Sequence, residues 1–313
     1  KVCEAISAHY DLHMLNRSDD ARNSIIADYT IGVSASRRSR RPHERQILAA
    51  HHDDVRVIEL VGTLSLSNVD YVSRQLAGRP RPQFIVFDLR RVTALTPAGT
   101  RLLAELFREL AGFHVTVILS GVRRTSADWK TITEQTGDVS NVRNFYLLDT
   151  AIEWAEDQIV YRYGGAIDFH DTTELAEQPL LAGLTAAELD ELGAPATVRT
   201  YQHGERIVAA GDAATSLFFL RSGVVHVTLP DGVRLATLTA GMAFGEMALL
   251  ETHRSADVFA DRAATAFEIA LADFERFREQ HPKAGERIMR NLAQLLAERL
   301  IVANNRVNLL TAS

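Results

Sequence analysis

Between residues 55 and 160, apolar positions fall in short runs separated by segments with helical spacing. Val55–Val61 reads as a strand, and Gly62-Thr63-Leu64 leads into a helix over Asn68–Leu76. Gln83–Leu89, flanked by Pro82, is a second and nearly all-apolar strand. A helix over Ala98–Ala111 follows, then strand His114–Ser120, helix Ser126–Thr136, strand Phe145–Leu148 and helix Thr150–Ile159. Apolar strands separated by helices predict a mostly parallel or mixed sheet covered by helices.

Beyond residue 175 the pattern changes. Short β-type runs, Arg206–Ala209, Ser216–Leu220, Val224–Leu229 and Val233–Leu238, are punctuated by Gly204, Gly211, Gly223 and Gly241. Such spacing predicts antiparallel strands joined by tight turns, a β-roll or jelly-roll-like fold. A helix over Thr185–Leu192 precedes it, opened by the capping-box pattern Thr185-Ala186-Ala187-Glu188. A second helix follows, with Phe274 and Phe277 on one face. The last helix places Ile288, Leu292, Leu295, Leu296, Leu300, Ala303 and Val307 on one apolar stripe. The fold class is therefore multidomain, α/β followed by α+β.

Between the last strand run and these helices lies Phe244-Gly245-Glu246-Met247-Ala248-Leu249-Leu250, then Arg254-Ser255-Ala256-Asp257-Val258. Gly245 permits close approach of backbone to a ligand. Glu246–Leu250 reads as a short helix whose first N–H groups face an anion. Arg254 offers a fork for two phosphate oxygens, Ser255 adds a hydroxyl, and Glu246 is an acceptor suited to a ribose 2′-hydroxyl. These residues together describe a site for a small cyclic phosphate ester.

The segment resembles the phosphate-binding cassette of the cyclic nucleotide-binding domain family, and the likeness extends over roughly residues 175–309. It implies a ligand-binding set of Phe244, Gly245, Glu246, Met247, Ala248, Arg254, Ser255 and Ala256. It also implies that the last helix caps the base or pairs with its copy in a homo-oligomer. Arg299–Val307 looks like the base-capping helix of bacterial cyclic-AMP-responsive activators, with Ala303 and Asn304 where those carry Thr and Ser. Asn304 can donate to and accept from a purine edge, or it belongs to a solvated polar face. Asp257 departs from the family pattern; facing the anion it would repel it, and pointing outward along a strand it would not. Cyclic AMP is the favoured ligand, with cyclic GMP the alternative.

The earlier region, roughly residues 52–160, resembles the STAS domain family. The matching pieces are Gly62-Thr63-Leu64, Phe87-Asp88-Leu89, the loop before Gly99, and Ala151–Asp157. Antagonist members of that family carry a phosphorylated serine in an Asp-Ser-Ser-Gly loop. The equivalent here is Thr96-Pro97-Ala98-Gly99, and Pro97 has no hydroxyl to phosphorylate. A role in packing against a partner or relaying a conformational signal is expected instead.

Composition narrows the classes further. A net charge of −6 gives no global attraction to nucleic acid or anionic membrane. No apolar run approaches the ~20 residues of a membrane span. One cysteine, Cys3, excludes an intrachain disulfide and fits a cytoplasmic location. The basic stretch Ser34–Pro42 reads as a solvated linker, with contact to nucleic acid or an anionic surface as the alternative. His51, His52, Asp53 and Asp54 read as exposed linker residues, without the spaced second ligand pair of a metal site. No helix-turn-helix follows the last helix, which argues against DNA recognition.

The division expected is residues 1–51 as a terminal remnant and linker, 52–162 as the STAS-like domain, and 163–313 as the cyclic nucleotide-binding domain. Ser7–Leu15 resembles the last turn of the bacterial glutaminase domain of the serine β-lactamase-like superfamily. Enzymes of that kind carry a STAS domain and a cyclic nucleotide-binding domain in this order. The nucleophile pattern Ser-x-x-Lys is absent, so no catalytic or metal site is expected within these residues. The chain starts at Lys1 rather than Met, as a piece of a longer protein would. The resemblance thus implies a regulatory region acting on an upstream catalytic domain or on a partner of the STAS-like domain. The alternative is a ligand-free assembly module with a degenerate pocket.

Overall fold

The computed structural model describes residues 21–77, 80–122, 130–132, 134, 141–164 and 172–311; of residues 21–22, 298–299 and 301–311 only the backbone is described. The remaining positions, including Cys3, Ser7–Leu15 and most of the helix expected over Ser126–Thr136, lie outside these. Contacts divide the chain into two units. The first takes in Gln46–Gly165, the chain up to Ser36 and the end of the chain from Asn305; the second takes in Arg37–Arg45 and Ala166–Asn304.

The first unit is built on a five-stranded sheet. Its strands are β1 (Ile25–Thr30), β2 (Val55–Leu64), β3 (Phe84–Leu95), β4 (Thr116–Ser120) and β5 (Val142–Phe145), in that spatial order. β1 is antiparallel to β2 and the other pairs are parallel. Val57, Val86 and Ile118 are fully buried, as a sheet covered on both faces requires. Helix α1 (Pro42–Ala50) precedes β2, and α2 (Leu66–Ala77) and α3 (Pro97–Gly112) follow β2 and β3. Phe107, Leu103 and Val72 from these two helices join Phe87 and Leu119 in one apolar cluster. Helix α4 (Leu148–Gly164) closes the unit with Ile152, Ala155 and Ile159 buried, and its Trp154 lies near the rings of Phe84 and Phe145.

The last strand differs from expectation. β5 occupies Val142–Phe145 and Leu148 already opens α4, so the apolar run Phe145–Leu148 straddles a turn. β1 lies in the stretch expected to be only a remnant and linker. Its pairing with the buried β2, rather than its own composition, makes it a strand.

A larger correction concerns the basic stretch. Ser34, Ser36, Arg38 and Arg40 are buried, so alternate residues of the expected solvated linker face inward. Ser36 donates from its N–H and its hydroxyl to the two carboxylate oxygens of Glu156, at 2.8 and 2.6 Å. Glu156 is itself buried, and these bonds compensate its desolvation. Arg37–Ser39 then runs parallel to a strand of the second unit, Ser39 N–H donating to Thr237 O at 2.9 Å and Thr237 N–H to Arg37 O at 3.2 Å. The Arg37 side chain donates to Arg234 O, and Arg41 Nε donates to Ala240 O at 3.1 Å.

The His-Asp cluster is likewise structured. His52–Asp54 forms a 3-10 turn at the start of β2. His51 stacks on Tyr163 with 3.5 Å between centroids, its Nδ1 3.2 Å from Asp54, whereas His52 faces Asp53 at 3.0 Å.

The second unit holds two four-stranded antiparallel sheets. Their strands are β6 (Thr197–Tyr201), β7 (Arg206–Val208), β8 (Ser216–Ser222), β9 (Val224–Thr228), β10 (Arg234–Thr239), β11 (Ala243–Phe244), β12 (Asp257–Ala260) and β13 (Ala264–Ala270). One sheet has the order β10-β9-β12-β7 and the other β11-β8-β13-β6. Phe218, Leu220, Val225, Leu238, Val258 and Ala266 fill the space between the sheets. On the other side, Leu217, Phe219 and Ile269 meet the helices. These are α5 (Ala186–Gly193), α6 (Leu271–Gln280) and α7 (Pro282–Thr311), the first capped by Thr185 and Glu188 in the expected box. Phe274, Phe277, Ile288 and Leu292 are buried. Further along the expected stripe Leu295 and Leu296 are half-buried, Leu296 packing against this cluster, and Leu300 is 60% exposed. The side chains of Ala303, Asn304 and Val307 lie outside those described.

Candidate functional site

The cassette starts from β11, which pairs with β8 through Ala243 opposite Phe219 and Phe244 opposite Phe218. The rings of Phe218 and Phe244 stack at 4.8 Å, fixing where the chain leaves the sheet. Gly245 then turns in the left-handed region, φ 71°, a conformation that disfavours any Cβ. Glu246–Leu249 forms a single 3-10 turn rather than a full helix. So short a turn sums few peptide dipoles, which leaves most of the attraction for an anion to Arg254.

Arg254 arrives from a separate segment whose backbone is tied to Gly211–Ala214. Gly211 N–H donates to Arg254 O, Arg254 N–H to Asp212 O, and Ala214 N–H to Thr252 O, at 2.8, 2.8 and 2.9 Å. The guanidinium donates from Nη1 to Gly245 O at 3.2 Å and from Nη2 to Ser216 O at 2.8 Å, and lies 5.7 Å from the Phe218 ring centroid. Both acceptors are neutral carbonyls. Among the described residues no carboxylate forms an ion pair with this half-buried cation. Desolvation accordingly pushes its pKa down, while the fields of Glu268, Glu246 and Asp212 pull the other way. A desolvated cation fixed by carbonyls, with donors to spare, is suited to a phosphate.

The other residues expected at the site fall close along the chain but differ in exposure. Phe244, Glu246, Ala248 and Ala256 are buried, Met247 is half-buried and Ser255 is exposed. Asp257 does not point outward: its Oδ1 accepts from Ala210 N–H at 3.0 Å and lies 3.9 Å from Arg206 Nη1. It serves the end of β7, which accounts for a carboxylate so near the cassette. Ser216 and Phe218, both on β8, also seat Arg254 and are not among the residues expected from the sequence. Their distance along the chain from the cassette left no local signal.

At the STAS-like loop, the Thr96 hydroxyl accepts from Gly99 N–H at 3.1 Å and donates to Leu64 O at 3.3 Å, capping α3 with Pro97 in its first turn. That hydroxyl is occupied in holding the helix start.

Residues 46–140 match the family described as STAS domain, and residues 198–281 match the cyclic nucleotide-binding domain family. The chain carries the first followed by the second. Over all 313 residues it is 75% identical to Glutaminase 1 of Bradyrhizobium diazoefficiens, covering 100% of this chain and 51% of that protein. Glutaminase 2 of the same organism is 51% identical over the same 313 residues, 50% of its length. The chain thus spans about half the length of these relatives. The cAMP-dependent protein kinase type II regulatory subunit of Drosophila melanogaster is 34% identical over 104 residues, 32% of this chain and 27% of that protein. Among the described residues no helix is long and apolar enough to cross a membrane.

Proposed function

We propose that this chain is the regulatory region of a glutaminase, responding to a cyclic nucleotide bound at Phe244, Gly245, Glu246, Met247, Ala248, Arg254, Ser255 and Ala256. The observation that carries this is the half-buried Arg254, held on two carbonyls with no ion-pair partner among the described residues. Similarity to a kinase subunit named for cyclic AMP supports that nucleotide over cyclic GMP. Asn304 on α7 is assigned to the purine edge, and pairing of α7 with its copy would give a homo-oligomer.

Binding would shift the populations of two arrangements in proportion to its differential affinity for them. The STAS-like domain would pass that shift to a preceding catalytic domain without phosphorylation, since Pro97 replaces the acceptor and Thr96 is a cap. Titration calorimetry should show saturable cyclic AMP binding that Arg254→Ala removes; no heat with either cyclic nucleotide would sink the proposal. For the relay, the chain joined to the catalytic half is compared for glutamine hydrolysis with and without cyclic AMP. Identical rates would refute it.

A further inference from the structure

Arg254 is seated by a chain of polar contacts that begins on β6, the edge strand of the sheet β11-β8-β13-β6. Arg254 Nη2 donates to Ser216 O, and the hydroxyl of the same Ser216 donates to Glu268 Oε1 at 2.9 Å. The second oxygen, Oε2, accepts from Arg199 Nε at 2.9 Å. Three strands take part: Arg199 on β6, Glu268 on β13 and Ser216 on β8.

Register explains the meeting. Glu268 lies opposite Phe218, so Ser216 is its diagonal neighbour on the same face. Arg199 stands opposite Ala266, diagonal to Glu268 from the other side. That face also carries Phe218, over whose ring Arg254 sits. Ser216 is buried, and Glu268 is the foremost of the carboxylates whose field acts on Arg254.

We infer that Glu268 is a positioning residue for nucleotide binding, acting through Ser216 to hold the carbonyl on which Arg254 is seated. Resting on the assignment of a cyclic nucleotide to this cassette, it adds a residue fifty-two positions from Ser216 in the chain. Arg199 completes the device by neutralising a carboxylate that would otherwise oppose an incoming phosphate. Glu268 needs no contact with the ligand. Its effect is to fix the direction of the guanidinium before the ligand arrives, so that less ordering is left to do on binding.

The test is cyclic AMP titration of the 313-residue chain and four variants, each checked for unchanged far-ultraviolet circular dichroism. Glu268→Ala and Ser216→Ala should each weaken binding about tenfold, the loss of one charge-assisted hydrogen bond. The double variant should bind no more weakly than either single one, because both break the same link. Glu268→Gln, which keeps an oxygen acceptor for the Ser216 hydroxyl, should retain most of the affinity. A purely structural defect would not be rescued by glutamine, and two independent defects would add in the double variant. Wild-type affinity in Glu268→Ala, tighter binding in either Glu268 variant, or losses that multiply would overturn the inference while leaving the cassette assignment standing. Absence of binding by the wild type would overturn both.

Discussion

Gly245 and Arg254 compete for one small volume. The Nη1 of Arg254 rests 3.2 Å from Gly245 O, and a Cβ on Gly245 would come within 2.7 Å of that nitrogen and 3.2 Å of the Phe218 ring. Gly245→Ala should therefore do two things at once. The left-handed conformation costs about 1–2 kcal/mol of stability, and the methyl displaces the guanidinium. A urea melt reads the first effect and cyclic AMP titration the second; undiminished affinity would show that Arg254 does not bear on the ligand.

Gly99 is constrained by backbone rather than by a side chain. A Cβ there would lie 2.1 Å from Leu64 O and 2.9 Å from Leu64 C. Neither atom can swing aside, so α3 must separate from β2. Gly99→Ala should destabilise the first unit by about 3 kcal/mol, the upper end for overpacking, seen as a lower midpoint in chemical denaturation.

Arg90 ties together buried groups from neighbouring strands. Its Nη2 lies 2.7 Å from Asp88 and 4.0 Å from Glu59, while the Ser120 hydroxyl donates to Asp88 at 2.8 Å and Tyr29 to Glu59 at 3.0 Å. The field of these carboxylates, led by the bond to Asp88, raises the Arg90 pKa against the opposing effect of burial. Arg90→Ala leaves two buried carboxylates short of a counter-charge. Because the Arg90 side chain is 43% exposed, the loss should be about 2–3 kcal/mol, below that of a fully buried pair. Equal stability of the variant and wild type would show that the clamp contributes nothing.

Asp261 supplies a pH dependence. Its side-chain contact with His226, with Nδ1 at 3.3 Å, and then the charge of Arg234 at 3.7 Å hold its carboxyl below the ordinary range despite burial. With the folded pKa depressed, the stabilisation is complete above the unfolded value of roughly 3.9 and disappears as pH falls through the folded one. Asp261→Asn should thus be less stable than wild type at pH 7 and indistinguishable in strong acid. Parallel denaturation curves at the two pH values decide it; a gap that persists in acid would assign the loss to packing.

Elements buried on both faces were legible in the sequence. Phe84–Leu89 is an unbroken buried run, and the strand expected over Gln83–Leu89 was legible from it. The β6 strand was not, because Thr197–Arg199 and Thr200 are exposed and only pairing with β13 makes the segment a strand. β13 itself opens on Ala264-Thr265-Ala266 before Phe267, Glu268 and Ile269, too weak a pattern to stand alone. The cassette was readable since Phe244–Arg254 is local. Ser216 and Glu268 reach it through cross-strand register, which no single-segment pattern encodes. Ser34–Arg40 misled because serine and arginine ordinarily mean solvent; the buried Glu156 and the open side of β10 supplied partners that composition could not announce.

The pairing of Arg37–Ser39 with Thr237 has a practical consequence for anyone isolating the nucleotide-binding half. That half is not contiguous: the segment Arg37–Ser39, which bridges to the edge strand β10, comes from about two hundred residues upstream. A truncation beginning at residue 172 would bare the N–H and C=O groups of Thr237 and leave a raw sheet edge able to pair with other molecules. Such a piece should self-associate in light scattering at concentrations where the full chain does not, and adding a peptide spanning Arg37–Arg45 should reverse it.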